Sequence, residues 1–147
     1  MKYPLLSNAF SNSDISEGQK VLRSKQITMS SKTKMFEKKF AKYIGSKYAL
    51  MVNSGSSANL LSLFMLSNPT LENPIMPGDE IITPAVTWHT TVSPIIAIGA
   101  VPVLVDITLD DLTIDVNEIE KHITEKTKAI IPLHLLEKLK YSQQFFS

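Results

Sequence analysis

The order of apolar and polar positions predicts strands and helices that alternate along most of the chain. Residues 48–52 form a continuous apolar run of strand length, which is typical of a strand covered on both faces. Residues 58–66 are apolar almost all round, the pattern of a buried helix. Further strands are predicted at residues 79–84, 101–106 and 128–133.

Helices are predicted between these strands. One covers residues 90–98 and stops at Gly99, with Pro94 near its first turn, and another runs to His122 behind a cap at Asp115. The alternation predicts an α/β fold, with a mostly parallel sheet and helices on both faces. In such sheets ligands collect beyond the carboxyl ends of the strands.

The first part of the chain has no predicted strand before residue 48. Residues 1–13 are predicted to form an arm, followed by a short helix that begins at Asp14 or Ser16. Residues 35–44 place aromatic and aliphatic side chains on one stripe with lysines opposite, the pattern of an amphipathic helix. Residues 67–78, rich in proline and asparagine, are predicted to form a surface loop of a length that is sometimes functional.

Composition narrows the classes of function. The chain has 147 residues, 44% of them hydrophobic and 20% charged, as expected for a soluble globular domain. A net charge of +1 gives no reason to expect nucleic acid or a membrane surface as a partner. The absence of cysteine excludes disulfides and thiolate metal sites, and three histidines without carboxylate spacing predict no metal site. With no signal peptide or membrane span expected, we predict a cytoplasmic location.

The turn after the first predicted strand has the chemistry of an anion site. Gly55 is predicted to adopt a backbone conformation that a side chain would forbid, and it lets the backbone approach a ligand closely. Ser54 or Ser56 can cap the following helix. The free N–H groups of the first helical turn, with the hydroxyls of Ser56 and Ser57, favour a phosphate. The alternative is a serine-capped helix without a ligand, which spacing alone favours.

The turn after the second predicted strand carries the only tryptophan of the chain, Trp88. A flat aromatic face at this edge of the sheet can stack on a flat heteroaromatic ligand. The alternative is ordinary packing under the following helix. His89, beside it, could take part in proton transfer, although an exposed side chain without a role is the favoured interpretation.

Four segments in order, residues 36–45, 52–61, 77–83 and 103–106, give the chain a specific resemblance to the DegT/DnrJ/StrS family. The resemblance covers roughly residues 20 to 136 and implies the N-terminal part of the large domain of the aspartate aminotransferase-like fold, fold type I. It also implies pyridoxal 5′-phosphate as cofactor and a nucleotide-linked keto sugar as substrate.

The resemblance assigns cofactor-binding roles to four residues. Ser56 and Ser57 match the positions that hold the cofactor phosphate, and Gly55 shapes their turn. Trp88 matches the aromatic residue that stacks on the pyridine ring. The anion would thus be fixed at a helix N-terminus while an apolar face holds the ring flat.

Other positions depart from the family pattern or match it without a clear role. Ser30 stands where most members carry glycine near the substrate, and His89 stands where related sequences often have proline. Asp106 matches a family position, but we interpret it as a strand-end residue that satisfies loop backbone.

The end of the chain departs most. The family continues after residue 136 toward the acid that pairs with the pyridine nitrogen and the Schiff-base lysine, whereas residues 137–147 differ abruptly, as after a frameshift or premature stop. We therefore expect three parts: an arm and short helix at 1–30, a partial pyridoxal-phosphate transferase domain at 31–136, and an atypical tail at 137–147. An N-terminal fragment without the Schiff-base residue should be inactive alone.

The intact protein is expected to be a 3-dehydratase or an aminotransferase acting on nucleotide-linked 4-keto-6-deoxy sugars in surface polysaccharide or deoxysugar biosynthesis, and a homodimer. In the dehydratases of this family histidine replaces the lysine. Residues 53–61, the long loop at 67–78 and the run at 84–88 are closer in sequence to that branch. One alternative is a non-catalytic remnant or an interaction module that docks on an intact homologue. A third reading is a phosphate-binding domain for another nucleotide.

Overall fold

The computed structural model describes residues 9–28 and 30–135, so the predicted tail at 137–147 lies outside the described residues. The chain divides into two compact units, with the boundary between Met51 and Val52. The described elements, in chain order, are α1 (Asn12–Ser24), α2 (Ser31–Ile44), α3 (Gly55–Leu66), β1 (Glu80–Pro84), α4 (His89–Ala97), β2 (Val101–Val105), α5 (Val116–His122) and β3 (Thr127–Ile130).

The first helix begins earlier than predicted because its cap is Ser11. The Ser11 hydroxyl oxygen accepts the Asp14 N–H at 3.2 Å. In return an Asp14 carboxylate oxygen accepts the Ser11 N–H at 2.8 Å. This reciprocal capping box starts α1 at Asn12 rather than at Asp14 or Ser16.

The predicted amphipathic helix at residues 35–44 is confirmed, and it begins four residues earlier, at Ser31. Ser30 has extended backbone geometry and forms its N-cap. Phe36 and Phe40, one turn apart, stack with ring centroids 5.7 Å apart. Gly45 ends the helix with φ 76°, the left-handed conformation that glycine adopts at low cost.

The second unit contains a parallel three-stranded sheet in the order β2-β1-β3, which confirms the predicted α/β class. The strands predicted at residues 79–84 and 101–106 are confirmed as β1 and β2. The strand predicted at residues 128–133 instead covers Thr127–Ile130. Ile131 still donates its N–H to the Ile82 carbonyl at 2.8 Å, but Pro132 has no N–H with which to continue the ladder.

Helices pack on both faces of this sheet, as predicted. Successive strand residues point to opposite faces, so Ile81 and Ile82, both fully buried, enter different clusters. The Ile81 cluster includes Leu63 of α3 and Ile95 of α4. The Ile82 cluster includes Ile119 of α5. Asp115 caps α5 as predicted, because its carboxylate accepts the Asn117 N–H at 2.9 Å.

Two predictions from apolar runs are wrong. Residues 48–52 form no strand, and the side chains of Tyr48 and Leu50 are 77% and 69% exposed. Helix α3 is not buried all round, because Leu63 is its only buried residue. In the described part of the chain, residues 48–52 have no strand to pair with, and α3 has no second apolar layer packed against it. The apolar pattern of each segment requires such a neighbour for burial.

Candidate cofactor site

The serine-rich turn leads directly into the first turn of α3. Ser54 has extended backbone geometry and is the N-cap residue. Its hydroxyl oxygen accepts the Ser57 N–H at 3.2 Å and lies 3.1 Å from the Ser57 hydroxyl oxygen, to which it donates. Of the two caps that the sequence allowed, the structure therefore selects Ser54, and Ser56 is exposed.

This cap leaves the earliest N–H groups of the helix for a ligand. The N–H groups of Gly55 and Ser56 have no acceptor within the helix, because the first backbone hydrogen bond of α3 runs from the Ala58 N–H to the Ser54 carbonyl at 3.1 Å. Together with the Ser56 hydroxyl they form the positive end of the helix, where an anion is stabilised.

The prediction that Gly55 adopts a backbone conformation forbidden to side chains is wrong. Its lack of a side chain still leaves space for a ligand. Gly55 is the first residue of α3, and it is not among the glycines with positive φ. A side chain would therefore suit its backbone. A Cβ atom built at Gly55 meets no atom within 4 Å apart from its chain neighbours and the backbone of its own helix, so the backbone here borders open space that a ligand can occupy.

Trp88 lies at the equivalent place before α4. It is the N-cap residue of that helix, makes no side-chain capping hydrogen bond, and is 67% exposed. The His89 ring lies 5.1 Å from the Trp88 ring, centroid to centroid, tilted by 44°. Ordinary packing of Trp88 under the following helix is thus not observed, and its aromatic surface is accessible.

A side-chain hydrogen bond connects the two helices near their N-terminal ends. Asn59 Nδ2 donates to the carbonyl of Thr90 at 3.4 Å. In a regular helix that carbonyl would accept the N–H of residue 94, but residue 94 is a proline, the sixth residue of α4 rather than part of its first turn. Asn59 therefore supplies the donor that Pro94 lacks.

Sequence reasoning did not identify Asn59. The signal that could have found it is Pro94 inside a helix, since such a proline leaves a carbonyl one turn earlier that needs another donor. The contact places the serine turn and Trp88 at the same end of two neighbouring helices.

The arrangement suits a ligand with an anionic end and a flat ring. Gly55, Ser56 and Ser57 offer N–H and hydroxyl groups to the anion, and Trp88 offers an exposed aromatic face to the ring. The four sequence-predicted residues therefore fit the phosphate and pyridine of pyridoxal phosphate. Their roles in binding stay predictions.

The remaining candidates have simpler environments. Asp106 accepts the Ile107 N–H on its carboxylate at 2.8 Å, which confirms its interpretation as a residue that satisfies loop backbone. His89 is exposed and has its ring beside Trp88. Ser30 belongs to the first unit, where it is the N-cap residue of α2 without a side-chain capping bond.

Within residues 9–28 and 30–135, no group of three or more histidine, aspartate or glutamate side chains is placed to hold a metal ion. Over the same residues, no helix combines the length and apolar character needed to cross a membrane.

The sequence of the chain is similar to those of known enzymes. The chain is 43% identical over 139 residues to GDP-4-keto-6-deoxy-D-mannose 3-dehydratase from Escherichia coli O55:H7, covering 92% of the chain and 35% of the relative. It is 41% identical over 131 residues to UDP-4-amino-4-deoxy-L-arabinose–oxoglutarate aminotransferase from Shewanella sediminis, covering 89% of the chain and 32% of the relative. The chain thus spans about a third of the length of these curated relatives.

A solved structure agrees with the sequence comparison. The structure of E. coli GDP-4-keto-6-deoxy-D-mannose-3-dehydratase with bound hydrated PLP superposes with a TM-score of 0.81 at 42% identity, covering 89% of this chain and 33% of that one. The model of the DegT/DnrJ/EryC1/StrS aminotransferase family matches residues 9–140. The resemblance inferred from the four segments is confirmed: the chain belongs to the DegT/DnrJ/EryC1/StrS aminotransferase family.

Proposed function

We propose that this chain provides the phosphate-binding and ring-stacking part of a pyridoxal-phosphate enzyme that acts on a nucleotide-linked 4-keto-6-deoxy sugar. The observation that carries the proposal is the Asn59–Thr90 contact, since it holds a serine turn and an exposed tryptophan at the same end of two adjacent helices. The relatives named as sugar 3-dehydratase and sugar aminotransferase support the substrate class.

Each residue has a distinct part in this proposal. The N–H groups of Gly55 and Ser56, with the hydroxyls of Ser56 and Ser57, hold the phosphate. Trp88 covers one face of the ring and excludes water from it. Bound pyridoxal phosphate supplies an electron-withdrawing ring that stabilises negative charge on a substrate carbon. The described residues thus bind and orient, while the groups that move protons are expected from the rest of a family-length protein.

Between the two reactions, 3-dehydration is the one we propose. The sequence of residues 53–61 favours 3-dehydration, as do the 43% identity and the superposition with GDP-4-keto-6-deoxy-D-mannose 3-dehydratase. Aminotransfer is the second candidate, favoured by the 41% identity with the Shewanella sediminis enzyme. Assembly as a homodimer and a cytoplasmic location remain predictions.

Binding of pyridoxamine 5′-phosphate tests the proposal without the aldehyde, which would react with surface lysines. We expect calorimetry to detect binding at one site, and pyridoxamine without phosphate to bind more weakly. Removing a hydrogen bond to a charged group costs about 1.5–3 kcal/mol, so Ser56→Ala or Ser57→Ala should weaken binding about 10- to 100-fold.

Matched variants separate the proposed site from general effects. Ser62 lies on α3 beyond the serine turn, where its hydroxyl donates to the Ala58 carbonyl at 2.8 Å, so Ser62→Ala should leave binding unchanged. Trp88→Ala should weaken binding about 3- to 10-fold, as expected for the loss of aromatic stacking. Equal binding of pyridoxamine with and without phosphate would rule out the phosphate site.

A further inference from the structure

The backbone on both sides of the Trp88 indole is fixed by one buried residue. The Thr91 N–H donates to the Trp88 carbonyl at 2.9 Å. The Thr91 hydroxyl oxygen accepts a hydrogen bond from the Thr87 hydroxyl at 2.9 Å, and Thr91 itself is buried. These bonds hold the chain where the indole leaves it, but they do not restrict the side-chain torsions of Trp88. The direction of the indole therefore depends on its side-chain contacts.

The imidazole of His89 makes such a contact. The ring centroids of His89 and Trp88 lie 5.1 Å apart, within the range of about 4.5–7 Å over which aromatic rings attract each other. His89 is the first residue of α4, and its carbonyl accepts the Ser93 hydroxyl at 2.9 Å. Because the backbone of His89 is held in the helix, its imidazole approaches the indole from a fixed point.

This contact leaves most of the indole accessible. The two ring planes are tilted by 44°, so the imidazole does not lie flat on the indole as it would in a parallel stack. Trp88 accordingly stays 67% exposed. The imidazole can therefore restrict the direction of the indole without covering the aromatic surface that a ligand ring needs.

We propose that His89 is a positioning residue, which holds the Trp88 indole in the orientation that stacks on the ligand ring. A side chain with several orientations binds a ligand more weakly, because only the fraction in the competent orientation can bind. Holding the indole in advance removes this cost. The proposal rests on the ring-stacking part of the proposed function.

The motion of the indole tests this without any ligand. Trp88 is the only tryptophan of the chain, so time-resolved fluorescence anisotropy reports this indole alone. Loss of an aromatic contact changes the populations of side-chain orientations about 2- to 10-fold, so His89→Ala should increase the amplitude of fast indole motion. His89→Phe keeps an aromatic ring at the same position and should retain the restricted motion of the unmodified chain.

His122→Ala is the matched control. The His122 ring belongs to α5, where its Nδ1 atom lies 2.8 Å from the Glu118 carbonyl oxygen. Helix α5 packs on the opposite face of the sheet from α4, because Ile119 and Ile95 belong to different clusters. Removal of this imidazole should therefore leave the anisotropy of Trp88 unchanged. Circular dichroism would show whether each variant is folded.

Ligand binding gives a second readout that separates positioning from general damage to the site. We expect His89→Ala to weaken binding of pyridoxamine 5′-phosphate about 2- to 10-fold, and His89→Phe to bind like the unmodified chain. Inorganic phosphate has no ring, so its binding, followed by the Gly55 amide signal in NMR spectra, should be equal in all three proteins.

Two results would overturn the proposal. One is equal indole motion in the unmodified chain and in His89→Ala, and the other is an equal increase of motion in His89→Ala and His89→Phe. Failure of the unmodified chain to bind pyridoxamine 5′-phosphate is a different result, because it contradicts the proposed function. The anisotropy comparison needs no ligand, so it still decides whether His89 holds the indole.

Discussion

The helices α3 and α4 begin with different kinds of N-cap residue. Ser54 starts α3 and satisfies the Ser57 N–H with its own hydroxyl oxygen. Trp88 starts α4 and makes no side-chain capping bond, although serine or aspartate at this position would stabilise the helix. The N-terminus of α4 is thus less well capped than that of α3, and its N-cap residue has an exposed indole. This is expected where an aromatic side chain contacts a ligand rather than stabilising the fold.

The largest effect should come from the residues that anchor the two helices to the core. Leu63 of α3 and Ile95 of α4 are both buried in the Ile81 cluster. We expect Leu63→Ala and Ile95→Ala each to lower the free energy of unfolding by about 2–5 kcal/mol, measured by urea denaturation. Met65→Ala, on the exposed side of α3, should change it by less than about 0.5 kcal/mol. A similar cost at all three positions would show that α3 is not anchored by Leu63 alone.

Removing the cap of α3 and adding one to α4 should change the stability of the protein in opposite directions. Ser54→Ala removes the hydroxyl that caps α3 and should cost about 1 kcal/mol of stability. Trp88→Ser gives α4 the cap it lacks and should add about 0.5–1 kcal/mol, while weakening binding of pyridoxamine 5′-phosphate. Thermal unfolding and calorimetric binding together measure both quantities. Destabilisation by Trp88→Ser would mean that the indole supports the fold after all.

The link between the helix ends should have a moderate effect. Asn59→Ala removes the donor to the Thr90 carbonyl and should lower the free energy of unfolding by about 0.5–1.5 kcal/mol. Adding Pro94→Ala restores a backbone N–H that can bond to the same carbonyl, so the double variant should recover the loss. Denaturation of the single and double variants measures the coupling, and independent, additive effects would contradict the assigned role of Asn59.

The smallest effect concerns a third helix start, that of α1. The Ser11 hydroxyl, and then the Ser11 N–H, lower the pKa of the Asp14 carboxyl below its usual value of 3.8. The contribution of this cap is therefore present above the unfolded pKa and is lost as the pH falls through the lower folded pKa. NMR titration of the Asp14 carboxyl should show the low pKa, and Ser11→Ala should raise it toward 3.8. An identical titration in both proteins would contradict the capping box.

How far the sequence predicts this fold depends on where each element finds its partners. β1 and β2 pair with each other through a short crossover, so their apolar runs predict them correctly. Residues 48–52 have an equally clear apolar run but no pairing strand in the described part of the chain, and they remain exposed. An apolar run in the sequence indicates that a segment needs pairing strands or apolar surfaces around it, but it does not show whether these are present.

The same distinction applies to the candidate site. The serine turn and Trp88 could be located from residue type and from their place after predicted strands. The contact between Asn59 and Thr90 joins residues 31 positions apart, so only the folded chain reveals it. The selection of Ser54 over Ser56 as the cap depended on backbone geometry, since both residues have the required hydroxyl.

The central claim is that the two helix starts bind one ligand together. NMR spectroscopy of the labelled chain during titration with pyridoxamine 5′-phosphate tests it most directly, by following the amide signals of Gly55 and Ser56 and the indole N–H of Trp88. We predict that all three signals shift with a single dissociation constant, while the amide of Ser62 stays in place. Shifts at only one of the two helix starts, or different dissociation constants for the two, would contradict the account.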